Sequence, residues 1–150
     1  MHNLKKLSNR EKKLLFKKIE LQYGIRDLKL DYLFFKNNEG KIFIVNKEFR
    51  DLNTENINVN SIGLYFARLD KELRLTIEGS QIIGPLAKKN FLEVSDEQAN
   101  EWLRGNDLDN IKNNFDETFI ILKNKDDFIG CGKYKEGRIL NYVARERRIK

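Results

Sequence analysis

The strongest constraint on how this chain folds lies between Phe119 and Val143, where three short apolar runs alternate with turn residues. Phe119 to Leu122 runs into the polar turn Asn124 to Asp127. Phe128-Ile129 then leads into Gly130-Cys131-Gly132-Lys133, and Ile139 to Val143 follows Gly137-Arg138. Strands of this length joined by such turns predict a meander in a small β-sheet or barrel. Gly130 and Gly132 stand two apart, so they leave one face of their strand without side chains. A bare patch of that kind marks a barrel bend or a close approach by another backbone or a ligand. Basic residues crowd the exit: Lys133, Lys135, Arg138, Arg145, Arg147 and Arg148.

Upstream, local signals divide the chain into elements. Ser8-Asn9-Arg10-Glu11 fits a capping box, and the helix it opens should run to about Tyr23, where Gly24 can close it in a left-handed conformation. Leu15, Ile19 and Tyr23 recur every four residues, with Leu14, Phe16 and Leu21 widening the apolar face. Lys12, Lys13, Lys17 and Lys18 fall largely on the other side. Such a basic amphipathic helix can bind RNA or a membrane surface, although packing against a domain flank is the plainer reading. Tyr32 to Phe35 and Ile42 to Val45 predict a hairpin across Lys36-Asn37-Asn38-Glu39-Gly40-Lys41. The polar, Asn-rich stretch from Phe49 to Asn60 predicts a boundary, with a small α/β unit over residues 1–57 that needs the rest of the chain to bury its core.

From Ile62 the pattern changes to short strands, 63–69 and 73–77, around Asp70-Lys71-Glu72. Thr76 to Ile83 reads equally as strand or helix, because periodicity does not separate them. Gly84-Pro85 breaks whatever precedes it, and Phe91 to Val94 predicts a strand. Ser95-Asp96-Glu97-Gln98 is a second capping box; its helix should turn Ala99, Trp102 and Leu103 inward and stop at Gly105. Asn106 to Glu117 reads as a loop into the meander.

Taken together, Gly130-x-Gly132-Lys133, Gly137-Arg138, Asn141-Tyr142 and the basic end resemble the C-terminal PUA-like domain of Sun-type RNA cytosine-C5 methyltransferases. Gly63-Leu64 with Arg68, then Trp102-Leu103-Arg104-Gly105, then Arg147-Arg148 agree in order, so the resemblance covers roughly residues 60–150. The chain departs from the pattern after Asn141-Tyr142, where Val143-Ala144 stands in place of the usual proline. The fold this implies is α+β: an N-terminal helix-plus-hairpin unit followed by a PUA-like β-barrel over residues 58–150. The resemblance implies structured ribosomal or transfer RNA as partner, in connection with RNA modification or ribosome assembly. It also implies an RNA-modifying enzyme as a further partner and places the loop at Gly105 near bound RNA.

Charge supports a localised basic surface. The net +6 divides into +6 over residues 1–30, −5 over 31–132 and +5 over 133–150. Basic ends around an acidic middle suit a polyanion, because each neutralised phosphate releases counterions. A composition of 40% apolar and 35% charged residues is that of a folded domain. No apolar run approaches a membrane span and no signal-like stretch opens the chain, which gives a cytoplasmic expectation without membrane contact. The single cysteine excludes an internal disulfide and a cysteine-based zinc site.

Catalytic signals are weak. No Gly-x-Gly opens a helix in a βαβ unit, no phosphate-binding loop is present, and the nucleophilic cysteines of Sun-type enzymes belong to a separate methyltransferase domain. Cys131 lacks a sequence-near histidine and reads as a packed cysteine between strand glycines. Asp107, Asp109, Asp126 and Asp127 read as turn residues and Trp102 as a core anchor. The expectation is therefore a binding protein, not an enzyme, with no metal and no cofactor. Its RNA contacts are expected from Lys133, Lys135, Arg138, Arg145, Arg147 and Arg148 on phosphates, with Asn141 exposed to a base or ribose and Tyr142 in the core. Arg104, Gly105, Lys88 and Lys89 complete the expected surface. The alternative is a protein–protein adaptor for an RNA methyltransferase or ribosome-assembly factor, and a third option is a small enzyme built around Cys131.

Overall fold

A computed structural model describes residues 4–49, 63–143 and 145–149. The first helix, α1, spans Asn9–Tyr23; Ser8 and Glu11 form the reciprocal cap, and Gly24 closes the helix at φ 67°. Leu15, Ile19 and Tyr23 are buried, as their four-residue spacing requires, each contributing on the order of 1.5–3 kcal/mol by leaving water. The helix packs on a five-stranded antiparallel sheet: β1 (Lys5–Lys6), β2 (Tyr32–Lys36), β3 (Lys41–Asn46), β4 (Leu64–Leu69) and β5 (Leu73–Leu75), in sequence order. The β2–β3 hairpin turns where the sequence predicts, with Gly40 at φ 86°. The expected division at 57/58 lies outside the described residues, and strands from both sides of it, β3 and β4, pair in this one sheet.

The ambiguous stretch after β5 is helical. Thr76 accepts a hydrogen bond from the Gly79 N–H and so caps α2, Ile77–Ile83, and its hydroxyl also donates to the Tyr65 carbonyl of β4 at 2.6 Å. A second sheet follows: β6 (Phe91–Glu93), β7 (Phe119–Asn124), β8 (Asp127–Lys135) and β9 (Arg138–Leu140). Helix α3, Asp96–Leu103, intervenes between β6 and β7, with Ser95 and Gln98 forming the predicted cap. Because of this crossover β6 runs parallel to β7, while β7, β8 and β9 form the antiparallel meander. The α+β class holds. Among the described residues both sheets are open, so the barrel expected for the C-terminal part is not closed there.

Strand β7 explains its own unbroken apolar run. Phe119 and Ile121 belong to a core shared with α1, strands β2 to β5 and Cys131. Ile120 and Leu122 face a second core with Trp102, Ile139 and Val143. A strand covered on both faces carries no polar alternation. The bare face at Gly130 and Gly132 is filled by the Trp102 indole, whose Nε1 donates to the Ile129 carbonyl at 3.1 Å. A Cβ on Gly132 would collide with that ring and stand 2.5 Å from the Leu140 carbonyl. The gap, read from sequence as a barrel bend or a close approach by another backbone or a ligand, is instead filled by the protein's own tryptophan side chain.

Gly132→Ala is therefore expected to lower stability by about 1–3 kcal/mol, the scale of overpacking, in urea unfolding. Wild-type stability in this variant would show that the indole is free to move aside.

Candidate nucleic-acid interface

The C-terminal basic residues differ in what holds them. Helix α3 ends at Arg104, and Gly105 follows at φ 96°, a conformation that favours glycine. The Arg148 side chain lies directly over Gly105, where a Cβ would meet it, and its Nε donates to the Val143 carbonyl at 3.1 Å. A short 3-10 turn, Arg145–Arg147, joins this corner, and the Ile149 N–H donates to the Leu103 carbonyl at 2.8 Å. Arg104, Arg145 and Arg148 are thus exposed at one corner made by the end of α3 and the terminal turn. Arg104 has only a long contact to Glu101, 3.9 Å, and Arg145 has no carboxylate in reach among the described residues.

The other expected cations face carboxylates. Lys133 donates to Glu72 at 2.6 Å, which holds its ammonium pKa above the ordinary lysine value. Arg138 bonds Asp109 at 2.6 Å and Asp107 at 3.1 Å, and its pKa also rises, first through the Asp109 hydrogen bond. Arg147 pairs with Glu78 of α2, and Lys135 stands 4.0 Å from Glu117. Much of the acidic middle of the sequence thus folds back onto the basic end. Lys88 and Lys89 are held elsewhere, over Gly24 at the end of α1, with both backbone N–H groups directed at the Tyr23 carbonyl.

Asn141 and Tyr142 reverse their expected positions. Strand β9 stops at Leu140, so strand alternation does not extend to them. Both amide hydrogens of Asn141 are spent on the chain, on the Trp102 carbonyl at 2.7 Å and the Asn106 carbonyl at 2.8 Å. Its Oδ1 accepts from the Val143 N–H at 2.7 Å. Asn141 is a clasp between α3 and the C-terminal segment. Tyr142 is 44% exposed, its ring edge-on to Phe119 and covered by the Arg74 guanidinium at 4.8 Å. Stacking between an arginine and Tyr142 at the surface was invisible to sequence, since Arg74 comes from β5.

Cys131 is fully enclosed; its thiol donates to the Leu75 carbonyl at 2.9 Å, and burial pushes its pKa up to about 12. A thiol in that state is a poor nucleophile at neutral pH. Trp102 is wholly buried, as expected of a core anchor. Asp107 and Asp109 serve Arg138, and Asp107 also accepts from the Asn141 N–H at 2.8 Å. Among the described residues no group of three or more His, Cys, Asp or Glu is placed to hold a metal ion, and no helix is long and apolar enough to cross a membrane.

Residues 89–149 match the family model of the methyltransferase RsmF PUA domain. The matched stretch takes in β6 to β9, α3 and the terminal turn, and the likeness to the C-terminal PUA domain of Sun-type methyltransferases holds there. Helix α1 and the first sheet lie outside it. No curated protein matches the chain significantly. A PUA domain of this kind suggests RNA binding in an RNA-methyltransferase context.

Two outcomes check the site's framework. Asn141→Ala strips hydrogen bonds from two backbone carbonyls and is expected to cost about 1–3 kcal/mol in chemical denaturation, while Tyr142→Ala costs less. A milder effect at Asn141 than at Tyr142 would contradict the clasp. Separately, Cys131 should resist a thiol reagent in the native protein and react fully once unfolded; rapid native labelling would rule out the enclosed thiol.

Proposed function

We propose that the protein binds structured RNA, ribosomal or transfer, as a recognition module for RNA modification, with the chemistry carried by a methyltransferase domain. The match of residues 89–149 to the RsmF PUA domain carries this reading. In it, an α/β unit precedes the PUA-like domain and supports it through the shared core around Tyr23 and Phe119.

The exposed corner of Arg104, Arg145 and Arg148 is the proposed phosphate contact of the PUA-like domain. Arginine forks suit phosphate, and these three have the least to give up on binding. Lys135, Lys133, Arg147 and Arg138 can join only by exchanging a carboxylate for a phosphate. Exposed pairs of this kind contribute little, so exchange is inexpensive for a single pair; Arg138, held by two aspartates, is the least available. Asn141 and Gly105 position the corner.

Binding of transfer RNA and ribosomal RNA fragments, measured across a salt series, tests this. Wild type should bind with an affinity that falls steeply with salt, and Arg104→Ala/Arg145→Ala should weaken it and reduce the slope of log K against log salt by about 2. Failure of the wild type to bind either RNA at low salt would refute the proposal. A partner protein retained after nuclease treatment would then support the adaptor reading.

A further inference from the structure

We infer that the outer face of α1, continued by Lys88 and Lys89, is a second phosphate-binding track for the same RNA. The inference rests on the RNA-binding reading above and lies outside the matched domain. With Leu15, Ile19 and Tyr23 committed to the core, helical geometry turns Arg10, Lys13, Leu14, Lys17, Lys18 and Leu21 outward. The four cations among them are exposed, and none has a carboxylate partner among the described residues. The helix's two acids are engaged away from this face. Glu11 completes the cap at Ser8 and pairs with Lys36, while Glu20 accepts from the Leu28 N–H at 2.8 Å.

Lys13 and Lys17 precede Gly24 by about three and two helical turns, so they lie in line with it. Gly24 is where the chain returns to α1: a Cβ there would stand 3.3 Å from both Lys88 and Lys89 side chains. Asn90 reinforces the junction, donating to the Gln22 carbonyl at 2.6 Å. The row from Lys13 to this junction is about 16 Å long at 1.5 Å per residue, enough to follow several phosphates along a strand. The contrast with β8 and β9 decides the assignment: cations there are already neutralised by the protein, and those on α1 are not.

The same face could be set against an anionic membrane, but its composition disfavours that. An interfacial helix sinks a broad apolar face into lipid, and here that face is buried in the protein. Only Leu14 and Leu21, 56% and 66% exposed, remain among the lysines. They suit contact with ribose or base surfaces between phosphate contacts.

The test compares wild type, Lys13→Gln/Lys17→Gln/Lys18→Gln and the corresponding triple Arg variant. Glutamine and lysine have similar helix propensity, so α1 should form in all three. With unfractionated transfer RNA, the glutamine variant should bind at least about tenfold more weakly at 0.1 M salt, with a slope lower by about 2–3, and the arginine variant should bind like wild type. Unchanged affinity and slope in the glutamine variant, while Arg104→Ala/Arg145→Ala still weakens binding, would overturn this inference and leave the proposed function standing. No RNA binding by the wild type would remove both. Flotation with vesicles of phosphatidylserine and phosphatidylcholine, lost in the glutamine variant without change in RNA affinity, would assign the face to membrane instead.

Discussion

Much of the C-terminal half hangs on where the Trp102 indole lies. Its ring occupies the strip left open by Gly130 and Gly132, and its Nε1 is held by the Ile129 carbonyl. The same residue's backbone carbonyl is held by Asn141, so one side chain pins α3 to β8 while its main chain pins α3 to the C-terminal segment. Gly105 and Arg104 follow at once, and Arg148 closes over the glycine. The basic corner is therefore a consequence of core packing two residues away. A large side chain in a slot without Cβ atoms tolerates little displacement, because interiors are close-packed and respond to single methyl groups.

Electrostatics then separates the cations into two kinds. The acidic middle of the chain supplies Glu72, Glu78, Asp107, Asp109 and Glu117, which meet Lys133, Arg147, Arg138 and Lys135 across the fold. Such pairs hold neighbouring elements in register at little gain in stability, since most are exposed. Arg10, Lys13, Lys17, Lys18, Lys88, Lys89, Arg145 and Arg148 are among the cations that meet no carboxylate within the described residues. Net charge alone does not distinguish the two kinds.

What the sequence disclosed was local. The caps at Ser8 and Ser95 and the stops at Gly24 and Gly105 were legible because each is settled within a few residues. The hairpin at Gly40 and the meander at 119–140 were legible for the same reason. Thr76 to Ile83 is settled as helix by the cap of Thr76 on Gly79, three residues on, and by its bond to Tyr65 of β4, eleven residues back. Asn141 and Tyr142 escape a strand reading because alternation ends with β9 at Leu140. The ion pairs were out of reach altogether: Lys133 meets Glu72, and Arg147 meets Glu78, across more than sixty residues of chain.

We propose that the cations of α1 and of the C-terminal corner, which the fold leaves without close carboxylates, hold RNA. Lysine acylation read by mass spectrometry, with and without saturating transfer RNA, addresses it residue by residue. Protection should concentrate at Lys13, Lys17, Lys18, Lys88 and Lys89, while Lys125, 3.3 Å from Asp96, stays equally reactive in both states. Protection spread evenly over the surface, or confined to Lys133 and Lys135, would contradict it.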